Sequence, residues 1–304
     1  MVLPVDILIL TSALDFATDK VCRELAARGA NFLRLNREML SESALTLDPT
    51  IPIIECRHGD NFWRAGPDLK SIMWRQGTFD RYGVQADVSL NEQMMQSQWA
   101  AFMRSMMSFD HCRWVNHPAA TYRAETKAVQ LGLALQLGFD VPRTVMTNDR
   151  AIDLSTRIGP RIALKSIDTL LLRDGDERLF GYTKLIEANT LETDELQLAP
   201  LTVQQALDKK LDLRVTVVGD HLWAVKICSD GQVIQGDWRL TPKASLTYDD
   251  YDLPTELAER CRRLVRALGL KYGAIDLALA EDRYWFIEIN PTGEWGWLER
   301  DRKS

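Results

Sequence analysis

Hydrophobic and polar positions repeat with two periods along this chain. Val5 to Leu10 is a continuous apolar run, Val21, Cys22, Leu25 and Ala26 recur at helical spacing, Gly29 stops that helix, and Asn31 to Leu35 begins another strand. This predicts a βαβ opening. The intervening TSALDF has no glycine, so a glycine-rich dinucleotide loop is disfavoured. Ser71 to Arg75 (SIMWR) reads as a further strand, and Met95, Trp99, Phe102, Met103 and Met106 share one face of a long helix. Core packing is the expected role of that face, with a peptide groove as the alternative. Asn116, His117 and Pro118 interrupt the pattern and mark a domain boundary.

A helix is expected from about Tyr122 to Leu137, closed by Gly138, followed by a strand in VPRTVMT and another from Arg161 to Ser166. The polar segment from Ser166 to Thr183 reads either as a flap over a ligand or as a hairpin tip. Leu201 to Leu207 (LTVQQAL) reads as a connection. Leu211 to Val218 and His221 to Ile227 form strands about a Gly219-Asp220 turn, and Leu257 to Leu268 is an amphipathic helix ended by Gly269.

The C-terminal stretch from Lys271 to Trp297 is the most informative. Ala274 to Ala280 and Tyr284 to Asn290 alternate with period two around a turn of Glu281, Asp282 and Arg283. Pairing Asp276 with Glu288 sets Ile275 opposite Ile289, Leu277 opposite Ile287 and Leu279 opposite Trp285, an apolar face. The other face then carries Asp276, Glu288 and Asn290. Two carboxylates and an amide oxygen this close suit a magnesium ion shared with phosphates. A solvated polar face on a surface hairpin fits the spacing equally well.

Composition narrows the classes. A chain of 304 residues buries roughly 75% of its unfolded surface and divides into two or three domains. Its net charge of -6 argues against nonspecific binding to nucleic acid or an anionic membrane. No signal peptide opens it, and no apolar run is long enough for a bilayer. Cys22, Cys56, Cys112, Cys228 and Cys261 are scattered, so reduced cytoplasmic thiols are expected. The four histidines form no zinc motif.

Several cations stand where a structural or an anion-binding role is open. Lys127 falls in a helix's first turn, against the dipole, and Lys165 lies in an apolar strand, where lysine needs an anionic partner or an edge. Arg214 shares a strand face with Asp212 and Thr216, and Arg239 sits in a polar loop with Asp237 and Trp238. Each arginine is a candidate clamp for carboxylate or phosphate, and an internal ion pair such as Arg239 with Asp237 is the alternative.

The order of these residues resembles the ATP-grasp fold: Lys127 on a helix, Lys165 on a strand, the Gln204-Gln205 connection, Asp212-Leu213-Arg214, Asp276 in AIDLAL, and EIN at Glu288 to Asn290. SIMWR, WVNHPAATYRAETKAVQLGLALQLGFDVPRTVMTND, LDLRVTVVGDHLWAVKI, GDWR and FIEINPTGEWGWLE more narrowly resemble the RimK-related ligases of the microviridin type, the graspetide synthetases. The resemblance implies an α/β (α+β) chain with an N-terminal pre-ATP-grasp domain over 1-115, a central subdomain over 116-200 and a C-terminal subdomain over 201-304.

It further implies a cytoplasmic macrocyclase acting on a ribosomally made precursor peptide, leader plus core. ATP phosphorylates Asp or Glu side chains, and Thr or Ser hydroxyls or Lys amines then close an ester or amide ring. By the same likeness Lys127, Lys165 and Asp212 belong to the nucleotide site and Gln204, Gln205, Ala206 and Leu207 border adenine. Asp276, Glu288 and Asn290 hold Mg2+, and Arg214 and Arg239 orient the acceptor carboxylate and the transferring phosphoryl group. No nucleic acid or membrane partner is implied, and a second copy of the chain is a candidate partner. The chain departs from the pattern at WRQG, where two arginines often follow the aromatic residue, at TGEW, where an Asn-Gly-Gln-Trp type loop is usual, and at Gln205, often acidic. A RimK-like carboxylate-amine ligase, a small-molecule kinase and a nucleotide-binding regulatory module without turnover are the alternatives.

Overall fold

The computed structural model describes residues 2–75, 89–167, 171–174, 177–191 and 195–298. The chain forms two compact units, one of residues 1–122, 269–272 and 291–304, the other of 123–268 and 273–290.

In the first unit a parallel sheet runs in the order Phe32–Asn36, Ile7–Thr11, Ser71–Trp74, Arg113–Val115. The expected crossover is present as helix Phe16–Ala27, capped by Asp15, whose carboxylate accepts from Thr18 N at 3.2 Å. Gly29 closes it with φ +67°. A second four-stranded sheet follows the order Val2–Pro4, Asn61–Ala65, Ile53–His58, Ala44–Asp48. Met103 and Met106 are fully buried with Leu8, Leu10, Ile72 and Phe109, so the methionine face is core; Met95, at 41% exposure, lies beyond it. Arg75 is buried in this unit, donating to Asp15 at 2.9 Å and Glu294 at 2.8 Å and lying over the Trp295 ring. Gln76, the departing residue of WRQG, lies outside the described residues.

The second unit holds two larger sheets and a two-stranded hairpin. One orders Lys184–Glu187, Arg161–Lys165, Leu201–Gln205 and Thr144–Thr147; the other orders Leu246–Asp250, His221–Ser229, Leu211–Val218, Tyr272–Ala280 and Arg283–Asn290. Leu213, Val215 and Val217 turn to the core, as do Leu257, Cys261 and Leu264 of helix Thr255–Ala267. In the polar segment, Leu171–Asp174 pairs with Glu177–Phe180 as a hairpin, while 168–170, 175 and 176 lie outside the described residues.

Three expectations need correction. The helix from Tyr122 to Leu137 is two helices, Pro118–Glu125 and Lys127–Gln136, because Thr126 is extended (φ -74°, ψ 103°) and its carbonyl starts the second ladder by accepting from Val129 N and Gln130 N. Lys127 thereby becomes a first helical residue. The Leu201–Leu207 connection is a strand through Gln205, and only Ala206 and Leu207 leave it.

The third correction concerns the C-terminal hairpin. Its turn has two residues, Glu281 and Asp282, both at positive φ (52° and 58°), and Arg283 pairs with Ala280. That turn is one residue shorter than expected, so the tip is out of phase with the Asp276–Glu288 pair. A bulge absorbs the difference: Ile287 is the extra residue, Leu277 faces Phe286 rather than Ile287, and Leu279 faces Tyr284 rather than Trp285. Trp285 consequently moves to the face of Ala278 and Ala280, where it packs with Leu207 and Ile287. Gly273 lets the hairpin close tightly on itself, since a Cβ there would meet Ile289 Cδ1 at 2.8 Å.

No helix among the described residues is long and apolar enough to cross a membrane, and all five cysteines are free thiols.

Candidate functional site

The hairpin puts Asp276 directly opposite Glu288, with Asn290 two residues further on opposite Ala274. Each carboxylate is met by a cation from a different element. Arg214, from the neighbouring strand Leu211–Val218, donates through Nη1 to both Asp276 oxygens at 2.9 and 3.0 Å. Lys127 Nζ donates to Glu288 Oε2 at 2.5 Å from the first turn of its helix.

These surroundings split the two acids. Burial pushes the Asp276 carboxyl up to about 6, only partly opposed by Arg214, and the Glu288 charge adds to the rise. Burial also acts against ionised Glu288, but the charge and hydrogen bond of Lys127 outweigh it and hold Glu288 below the usual range.

Lys165 ends an interior strand, so an edge position does not explain it. Its ammonium donates to Gln204 Oε1 at 2.7 Å, and Gln204 in turn donates to Thr144 Oγ1 at 2.9 Å. Burial lowers Lys165 to about 8, opposed by the charge of Glu288. Gln205 N donates to Arg143 O and Ala206 N to Arg161 O, which fixes the path of the chain to Leu207.

One partner, Lys210, was not singled out in the sequence. Lys210 donates to both oxygens of Asp212 at 2.5 Å, and burial raises Asp212. The spacing of Lys210, Asp212 and Arg214 carried this signal, since residues two apart in a strand share a face. Asp237 is buried and takes Arg239 in a two-point pair, Nε at 2.9 Å and Nη2 at 2.6 Å, and also accepts from Thr183 N at 3.2 Å. The internal ion pair is therefore present for Arg239, and Arg214 has its own with Asp276. Arg239 is still 48% exposed, its Nη1 takes no part in the pair, and its guanidinium lies 5.9 Å from the Tyr182 ring centroid. Burial disfavours charge on Asp237, yet Arg239 overcomes this and keeps its carboxyl low.

The groups act on one another electrostatically: Lys165 senses Glu288, Lys127, Lys210 and Asp237, while Arg239 senses Glu288 and Asp276. Three lysines and two arginines face four carboxylates, a near balance that a bound triphosphate would upset without divalent cations. Among the described residues no group of three or more His, Cys, Asp and Glu is gathered for a metal. Two carboxylates and one amide oxygen nevertheless fit a hard cation that takes its other ligands from phosphate and water. Beside them Leu207, Ala278, Trp285 and Ile287 make an apolar floor.

No family model matches this sequence, and no curated protein does. Solved structures match nearly the whole chain. A RiPP-associated ATP-grasp ligase of Chryseobacterium gregarium, in complex with ADP and a leader and core peptide, has a TM-score of 0.82 at 22% identity, covering 97% of this chain and 91% of that one. The macrocyclase MdnC of Microcystis aeruginosa, bound with precursor peptide MdnA, gives 0.78 at 24% over 98% and 94%. The macrocyclase MdnB of the same organism gives 0.73 at 25% over 99% and 96%. The chain has the ATP-grasp fold. The second unit holds every residue that the ATP-grasp resemblance assigns to nucleotide, metal and acceptor: Lys127, Lys165, Gln204 to Leu207, Asp212, Arg214, Arg239, Asp276, Glu288 and Asn290.

Proposed function

We propose that this chain is an ATP-dependent peptide macrocyclase. In this reading a side-chain carboxylate oxygen of an Asp or Glu in a precursor peptide attacks the γ-phosphorus of ATP, and ADP leaves. A Thr or Ser hydroxyl, or a Lys amine, then attacks the acyl carbon, gives up its proton, and displaces phosphate. The peptide has lost one water for each ring.

The observation that carries the reading is the joint presence, in one unit, of two facing carboxylates, two lysines turned to polar partners and two acid-paired arginines. A protein that only bound nucleotide would have no use for an acceptor clamp. Its likeness to ligases solved with ADP and with leader, core or precursor peptide supports the same reading. Lys127 and Lys165 hold phosphate oxygens, and Leu207 with Trp285 and Ile287 lies against the base. Arg239 and Arg214 orient the acceptor carboxylate. Asp276, Glu288 and Asn290 would hold magnesium, which screens the repulsion between an anionic acceptor and the phosphates. The division at 1-115, 116-200 and 201-304 and a cytoplasmic site of action belong to this proposal.

Mass spectrometry of the precursor encoded beside this chain, with and without ATP, is the test. Loss of water in whole multiples, only with ATP and without added amino acid, is expected. A mass gain that requires an added amino acid would favour the RimK-like ligase, a stable phosphorylated product the kinase, and no ADP with any peptide the regulatory module.

The two shifted groups give a pH signature. Asp276 must be ionised to act as a ligand, so kcat/KM for MgATP rises as pH passes upward through about 6; Lys165 must be charged to meet phosphate, so it falls again through about 8. Lys165→Arg is expected to abolish the basic limb and keep the acidic one. An unchanged basic limb in that variant would remove Lys165 from the phosphate site.

A further inference from the structure

Gln130 has no role in the chemistry above, yet it is 2% exposed and fully engaged. It sits on helix Lys127–Gln136, and its side chain reaches strand Arg283–Asn290, the outermost of the five-stranded sheet. Gln130 Oε1 accepts from Ile289 N at 3.0 Å, while Nε2 donates to Ile289 O at 2.9 Å and to Ala124 O at 2.6 Å. An outermost strand has no neighbour for its outward N–H and C=O groups, and burying them unpaired is costly. One carboxamide here satisfies both groups of one residue, as another strand would. A backbone carbonyl satisfies one such group nearby, where Asp140 O accepts from Phe286 N at 2.8 Å.

Ile289 is the residue between Glu288 and Asn290. Lys127 stands three positions before Gln130 on the same helix, one turn away and on the same side. A single helix thus grips the strand at Ile289 through Gln130 and meets its carboxylate at Glu288 through Lys127. We propose that Gln130 is a positioning residue: it fixes the peptide planes on either side of Ile289, and so sets the directions of Glu288 and Asn290 and the seat of Lys127. Metal-assisted nucleotide binding then depends on a side chain that touches neither ligand. This rests on the nucleotide reading of the same site.

The test uses Gln130→Met, similar in length but unable to hydrogen-bond, and Gln130→Glu, whose carboxylate would confront the carbonyl oxygens of Ile289 and Ala124. Two quantities are read on the full chain: hydrogen exchange of the Ile289 amide, and the dissociation constant of ADP with magnesium and with EDTA. In Gln130→Met the Ile289 amide is expected to exchange faster while those of Leu213 and Val215 do not change. The tightening of ADP by magnesium should shrink about 10-fold, with ADP in EDTA altered less than about twofold. Gln130→Glu should shrink it at least as much, and serves alone should the methionine variant not fold. Equal weakening with and without magnesium, or an undiminished magnesium effect despite faster exchange at Ile289, would overturn the inference. A wild-type chain that binds ADP equally well in magnesium and EDTA would overturn the nucleotide reading itself, and this inference with it.

Discussion

Glu288→Gln is expected to abolish magnesium-dependent turnover while the chain stays folded. The amide keeps the shape and one oxygen but loses the charge, and removing a metal-held charge of this kind costs several kcal/mol of barrier, on the order of 10²- to 10³-fold in kcat. A second effect adds to the first. Lys127 pairs with Glu288 at 2.5 Å, so the variant leaves that ammonium beside a neutral group. Lys165 also loses the nearby charge that opposes its desolvation, and its proton should come off at lower pH. The basic limb of the residual pH profile therefore moves down. Circular dichroism and thermal melting check the fold, and single-turnover ADP formation checks the chemistry. Near-normal ADP formation would take Glu288 out of the site.

Arg239→Ala should cripple ring closure more than nucleotide binding. Positioned cations on an acceptor carboxylate and transferring phosphoryl group act where charge develops, so a loss on the order of 10²- to 10³-fold in cyclisation is expected, with the dissociation constant of MgATP within about twofold. The variant also removes both guanidinium bonds to Asp237, whose carboxylate is buried and keeps the backbone N–H groups of Thr183 and residue 239. That costs about 1–3 kcal/mol of stability, discounted because Arg239 itself is half exposed. Arg239→Lys restores the charge but not the two-point fork, and should recover stability better than rate. Equal losses of cyclisation and MgATP affinity would move Arg239 from the acceptor to the nucleotide.

Much of this was legible in the chain because strands write their faces in period two. Asp212, Arg214 and Thr216 alternate with Leu213, Val215 and Val217, and the structure sends the two sets to opposite sides. The opposition of Asp276 and Glu288 followed from the same rule. What escaped was local backbone geometry. A turn with two positive φ values is announced by Asn-Gly or Asp-Gly, and Glu281-Asp282 carries no glycine, so neither the short turn nor the compensating bulge was visible. The break at Thr126 was hidden likewise, since no glycine or proline interrupts the helical spacing there. Gln130 and Lys210 escaped for a different reason. Their importance lies in partners brought up by folding, Ile289 for one and a half-buried Asp212 for the other.

The extra residue at Ile287 has an effect that strict alternation forbids. Trp285 and Glu288 are three positions apart, yet both lie on the side of the sheet that carries Asp276 and Ala278. One short length of backbone thus sets a flat aromatic plate and an anionic tooth side by side, the plate 8% exposed and lying under the Arg283 guanidinium. With Arg283 as a third turn residue no bulge would be needed: Leu279 would face Trp285 and the plate would lie on the opposite layer. The tooth would remain, without the plate beside it.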